Sequence, residues 1–228
     1  MMRLDKYLSE AGVASRKELR EMIRKGRVQV DGTPAVRPEQ KVSETSEVLV
    51  DGTPVGKRGA TVLMLHKPAG YVTSTADPRD PTVMELLPAE YRKLFPVGRL
   101  DKDTEGLLLF TDDGDLAHRL TSPKHRVEKQ YFARTEGDID EGDIRAFQEG
   151  LTLRDGTKCL PAELEKTEGG CLVTVREGKY HQVRRMLAAR GKPVQYLRRV
   201  REGALTLEAL PIGGFRLLTE EEIRQLLE

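Results

Sequence analysis

The chain has 228 residues, 38% of them hydrophobic, and a net charge of +1, so it can build a core and its overall charge selects no partner. Its apolar runs fall far short of a membrane span, and its start carries Arg3, Asp5 and Lys6 with no apolar leader core, so neither a membrane-spanning nor an exported protein is expected. The two cysteines, Cys159 and Cys171, lack metal-ligand spacing and read as free thiols of a cytoplasmic protein.

In chain order, Leu4, Leu8 and Ala11 share one face of a short helix that Gly12 can end. Ser15 and Glu18 have capping-box spacing, so a second helix should follow, with Leu19, Met22 and Ile23 inward. Arg16, Lys17, Arg20, Arg24 and Lys25 remain on its other surface. Val28 and Val30 alternate like a strand, and Asp31-Gly32 and Asp51-Gly52 are hairpin signals on either side of a strand at 48–50. Residues 52–60 are rich in Gly and read as a linker, which sets two domains at 1–57 and 58–228. Beyond it, strands are expected at 61–65, 107–111, 129–135, 171–176 and 204–207, with a turn at 66–70. Helices are expected at 83–94, 113–121, 143–149 and 182–190. Strands and helices mix without βαβ alternation, which favours an α+β class.

Charge is unevenly placed. Residues 1–27 carry eight Lys/Arg against four acids, and residues 176–201 carry nine against one. Two basic segments on a near-neutral chain suggest an anionic polymer as ligand.

Three groups of residues could carry chemistry. The first is the run from Gly98 to Thr111, in which a charged loop enters an unalternating apolar strand, Leu107 to Phe110. A carboxylate held there has rigid support, and Asp101 is the candidate. Its neighbours Asp103, Glu105, Asp112, Asp113 and Asp115 could suggest a metal, but the strand spreads them over ~15 Å, so no metal site is expected. The second group is 176–186, where a Gly turn opens a basic helix start containing Lys179, His181, Arg184 and Arg185. It suits phosphate binding, and Arg184 could pair with a buried carboxylate; a merely solvated basic face remains open. The third is Lys129-Gln130-Tyr131, where a strand Tyr could stack on a base or handle a proton, or simply pack.

These residues resemble the RsuA/RluB/RluE/RluF family of pseudouridine synthases. Gly98-Arg99-Leu100-Asp101 with Asp103-Thr104 and Gly106-Leu107-Leu108 is similar to its catalytic motif. His66-Lys67-Pro68-Ala69-Gly70-Tyr71, Lys129-Gln130-Tyr131 and Glu177 to Met186 are similar to three further family motifs. The helix pair with Arg16-Lys17 and the Val28–Gly32 hairpin resembles an S4 RNA-binding domain. The resemblance spans nearly the whole chain. It implies a small S4-like domain before a catalytic domain with a mixed, mainly antiparallel sheet flanked by helices. It also implies an isomerase that needs no cofactor, with Asp101 promoting glycosidic cleavage, Arg184 as its ion-pair partner and Tyr131 stacking on the target base. Arg99, Lys67, Lys179, His181 and Arg185, with Arg16, Lys17, Arg20 and Arg24 of the first domain, become candidate RNA contacts.

Thr111 to Gly114, Thr121 to His125 and Leu218 to Ile223 resemble the small-subunit members most, which implies 16S ribosomal RNA, at the uridine numbered 516 there. The partner is then that RNA or an assembling small subunit, with the protein a monomer. Alternatives are a synthase acting on large-subunit 23S RNA, a non-catalytic RNA-binding assembly protein, and a metal-dependent phosphodiesterase.

Overall fold

The computed structural model describes residues 1–43, 45–55 and 60–226. The chain divides into two compact units, Met1–Gly59 and Ala60–Glu228. Of the expected linker at 52–60, residues 52–55 are described and include a short strand, Thr53–Pro54, while 56–59, with the expected boundary at 57/58, lie outside the described residues.

In the first unit the order is β1 (Met2–Arg3), α1 (Leu4–Glu10), α2 (Arg16–Arg24), β2 (Val28–Val30), β3 (Thr33–Pro34), β4 (Lys41–Val42), β5 (Val48–Val50) and β6 (Thr53–Pro54). The capping box forms as the spacing predicts: Glu18 accepts from the Ser15 backbone N–H at 2.9 Å while the Ser15 hydroxyl accepts from Glu18 N. Leu4, Leu8, Leu19 and Ile23 are buried against Val28, Val30 and Val48. Met22 is only partly buried, and Ala11 is the cap of α1 rather than part of its buried face. Strands pair in the order β3-β2-β5-β6. Asp31 and Gly32 have φ of 51° and 75°, and Asp51 and Gly52 have 51° and 79°, so both Asp-Gly pairs make hairpin turns with two successive positive φ angles. Arg16, Lys17, Arg20 and Arg24 are all exposed on α2.

In the second unit come β7 (Val62–Lys67), β8 (Phe95–Val97), β9 (Glu105–Thr111), α3 (Gly114–Thr121), β10 (Lys129–Thr135), α4 (Glu141–Glu149), β11 (Glu163–Thr167), β12 (Gly170–Val175), α5 (Gln182–Ala189), β13 (Val194–Glu202), β14 (Leu205–Thr206), β15 (Phe215–Leu217) and α6 (Glu220–Gln225). They form one nine-stranded sheet, β11-β12-β10-β13-β9-β7-β15, with β8 on β9 and β14 on β13. Only the β13–β9 pairing is parallel, so the sheet is mixed and mainly antiparallel, as expected.

Strand β9 shows why its sequence does not alternate. Leu107 and Leu109 pack with Leu116 and Leu120 of α3, while Leu108 and Phe110 pack with Val83, Leu87 and Leu94 on the opposite face. Both faces are buried, so both need apolar side chains. Gly106 allows the parallel contact: a Cβ there would lie 2.2 Å from the Arg199 carbonyl oxygen.

Two expectations are corrected. Residues 83–94 are not one helix but two short 3-10 turns, Val83–Leu86 and Ala89–Tyr91, because Pro88 between them cannot continue the hydrogen-bond ladder. His66 and Lys67 are the buried end of β7, not part of an open turn. Among the described residues, no helix is long and apolar enough to cross a membrane.

Candidate active site

Asp101 lies in the loop between β8 and β9, and two side chains from outside that loop fix it. Thr73 Oγ1 donates to Leu100 O at 2.8 Å and accepts from Leu100 N at 3.1 Å. The Lys67 ammonium is fully buried and faces four carbonyl oxygens: Pro68 and Asp101 at 3.1 Å, Lys102 at 3.2 Å and Thr104 at 2.8 Å. Lys67 is therefore not an RNA contact. Its charge is spent on backbone carbonyls, of which Asp101 O also accepts from Thr104 N and Lys102 O from Gly70 N. Burial pushes the Lys67 ammonium down to about 8, against the pull of Asp103, Asp101 and Glu105.

The Asp101 carboxylate is 27% exposed and faces a cleft of about 440 Å3. Tyr131 on β10 and Arg199 on β13 line the same cleft. Arg184, in the first turns of α5, does not line it but stands behind the carboxylate. Its Nε is 3.7 Å from Asp101 Oδ2, and its far nitrogen is 3.0 Å from Asp103 Oδ2. One guanidinium thus serves two carboxylates, Asp101 and Asp103. The other acids take separate partners: Tyr196 donates to Glu105 at 2.6 Å, Thr61 N donates to Asp112 at 2.9 Å, and Asp113 caps α3.

Tyr131 is half-buried and directly opposite Arg199 in the β10–β13 register. Burial raises its phenol above the ordinary tyrosine value, and the Arg199 charge opposes that rise. Arg199 is itself almost wholly buried, donating through Nε to Leu107 O at 2.7 Å and lying 3.2 Å from Glu202. Lys129, which also lines the cleft, lies 3.6 Å from the same Glu202. This Tyr131–Arg199–Glu202–Lys129 set escaped sequence reading. Arg198-Arg199 read as part of a basic segment for an anionic polymer, and Leu197 and Arg199 at alternate positions were the available signal that Arg199 faces inward.

The segment 176–201 is less of a basic surface than its composition suggests. Arg176 and Arg201 pair with Glu128, and Arg190 pairs with Asp143. Lys179 lines the cleft while bound to Glu177 and to the Lys158 carbonyl. Arg185 points away from the cleft to Asp155. His181 does more than the sequence implied. It is the left-handed N-cap of α5 (φ 47°), and its Nε2 lies 3.3 Å from Asp101 Oδ1. Its ring stacks on Tyr180 at 3.8 Å, and Tyr180 is 74% exposed at the cleft. Arg99 is exposed on the cleft wall. Cys159 and Cys171 are buried free thiols, away from this wall.

A carboxylate braced by a guanidinium, with a half-buried Tyr lining the same nucleotide-sized cleft, fits chemistry on a base drawn out of its stack. The sequence matches the RNA pseudouridylate synthase family over residues 61–189 and the S4 domain over residues 2–48. An uncharacterized RNA pseudouridine synthase of Bacillus subtilis is 44% identical, covering 100% of this chain and 99% of its own. Ribosomal small subunit pseudouridine synthase A of Escherichia coli K12 is 43% identical over 99% of this chain and 100% of its own. A crystal structure of a pseudouridylate synthase superposes with a TM-score of 0.71 at 35% identity, covering 99% of this chain. The chain therefore belongs to the RNA pseudouridine synthases that carry an N-terminal S4 domain.

Proposed function

We propose that this chain isomerises a uridine of 16S ribosomal RNA to pseudouridine, at the position numbered 516. Support for the small subunit comes from relatives named for it in Escherichia coli and Vibrio parahaemolyticus, the latter also 43% identical. The observation that carries the chemistry is Asp101 facing the cleft with Arg184 at 3.7 Å behind it and Tyr131 lining the same cleft.

The reaction breaks the bond from ribose C1′ to uracil N1, turns the base and joins C1′ to C5. The C5 proton leaves and N1 gains one, so atoms and electrons balance without an oxidant or a second substrate. Asp101 drives cleavage at C1′. Arg184 fixes the carboxylate and places positive charge behind it. Tyr131 stacks on the freed base and takes part in removing the C5 proton. Drawing the uridine out of its stack costs a few kcal/mol. Contacts from Arg99 and Lys179 at the cleft, and from Arg16, Lys17, Arg20 and Arg24 on the S4 helix, offset that cost through the RNA backbone.

The test is to map pseudouridine in the host's 16S and 23S RNA with and without this protein, and with Asp101→Asn in its place. One 16S uridine should lose its modification in both the deletion and the variant, while the variant still binds RNA. Loss confined to 23S RNA would replace the small-subunit reading, and full modification by the variant would sink the role of Asp101.

A further inference from the structure

A second hollow, of about 340 Å3, lies on the catalytic unit beside the active-site cleft, and Val127 lines both. One stretch of chain divides them. Thr121, Ser122 and Pro123 wall the active-site cleft, while Arg119, Leu120, His125 and Arg126 wall the second hollow. Leu120 and Leu226 close the hollow from the core side and are almost wholly buried, and Arg119, Arg126 and Arg201 give it charge.

Its one acid, Glu128, is already satisfied by Arg201 at 3.0 Å and Arg176 at 2.6 Å. Those two guanidiniums hold Glu128 below the usual carboxylate range. Arg119 and Arg126 are exposed and have no carboxylate partner among the described residues. Arg126 also has a φ of 50°, a left-handed conformation that a non-glycine residue adopts at a cost and that recurs at binding sites. Among the described residues the hollow thus carries positive charge on Arg119 and Arg126 with no carboxylate against it, next to the cleft that must admit one extruded nucleotide. RNA read as single strand is bound by splayed, stacked bases and paired phosphates. A protein partner would not need the continuity with the cleft.

We propose that this hollow receives the nucleotide next to the target uridine in the RNA chain, its phosphate at Arg119 and Arg126. The inference rests on the pseudouridine synthase reading of the cleft.

The test uses a short RNA hairpin containing the target uridine and no ribosomal protein. Arg119→Gln with Arg126→Gln should raise KM about tenfold while leaving kcat within about twofold, because the lost contacts are made equally before and during the reaction. The slope of log affinity against log salt should become shallower by about 0.7, one phosphate contact being removed. Arg119→Lys with Arg126→Lys should restore most of the salt slope, which separates charge from folding. A 4-thiouridine placed on one side of the target should cross-link to residues 119–126. If wild type is active and the Gln pair matches it in KM and slope, the proposal falls alone. A defect seen only on a ribonucleoprotein particle would also overturn it, in favour of a protein contact. A wild type that isomerises no uridine overturns the functional reading and this proposal together.

Discussion

The Lys67 ammonium lies 3.1 Å from the carbonyl oxygen of Asp101, so the residue proposed to start the reaction is held through its backbone by a buried cation. The same ammonium spans Lys102 and Thr104, which draws the loop into a single turn before β9. Lys67→Met removes these bonds without removing the cleft. It should lower kcat about 100-fold, since misplacing a reacting group by ~1 Å costs that much, and leave RNA affinity within about threefold. Single-turnover kinetics with a separate binding titration checks this. Weaker binding with chemistry intact would return Lys67 to the RNA-contact role its motif implied.

Lys67 also predicts a pH dependence. Its folded value, about 8, lies below the ordinary lysine value of 10.5. The folded state therefore binds its proton less well than the unfolded state between these limits, and stability rises with pH there. The cost of burying the charge is fully present below about pH 8 and disappears toward 10.5. Wild type should gain about 2–3 kcal/mol relative to Lys67→Met between pH 7 and 10. Urea unfolding of both proteins across that range measures it, and parallel curves would contradict it.

Arg184 is shared unequally, lying closer to Asp103 than to Asp101. Asp103 is mostly exposed, so its half of the arrangement is screened by water. Asp103→Asn should cost less than about tenfold in kcat, whereas Arg184→Gln should cost about 100-fold or more. Steady-state kinetics of the two variants decides the point. Equal losses would mean that Arg184 acts through the loop as a whole rather than on Asp101.

The Arg199–Glu202 pair is almost wholly buried, so removing one partner strands the other charge. Glu202→Leu should destabilise the protein by about 3–5 kcal/mol, and Arg199→Met with Glu202→Leu by clearly less, because the wholly buried guanidinium is gone and only Lys129, at the cleft, then lacks its partner. Denaturant titration reads both. If the double variant is as unstable as the single one, the pair is held for its hydrogen bonds and not for charge balance.

Glu222 carries an acid-side prediction. Hydrogen bonds from Arg216, with further help from the Thr219 backbone N–H, pull its carboxyl down to about 2. Its folded value lies below the ordinary 4.5, so its contribution is present above 4.5 and fades as pH falls toward 2. Glu222→Gln should cost about 1–2 kcal/mol at pH 7, discounted for its partial exposure, and almost nothing near pH 2. Thermal melts at the two pH values test this.

Features governed by near neighbours were legible in the sequence. The Ser15 capping box, the Asp-Gly hairpins and the double burial of Leu107 to Phe110 each follow from residues a few positions apart. Asp101, Tyr131 and Arg184 were candidates from residue type and setting, and resemblance supplied the roles proposed for them. Lys67 and Arg199 were misread for a common reason: a cation is expected in water, and whether one is buried depends on which strands flank it. The same holds for the nine-residue strand Val194–Glu202, whose arginines hid the central strand of the sheet.

The sequence by itself determined the α+β class, the local turns and caps, and a carboxylate loop before a buried strand, because short-range sterics and periodicity act within a few residues. Only the tertiary structure decided that Lys67 clamps that loop, that Arg184 divides itself between Asp101 and Asp103, and that Arg199 lies opposite Tyr131. Those relations join positions 34 to 83 residues apart, read from Lys67 to Asp101 and from Asp101 to Arg184. They depend on strand order, register and burial, which no local pattern encodes.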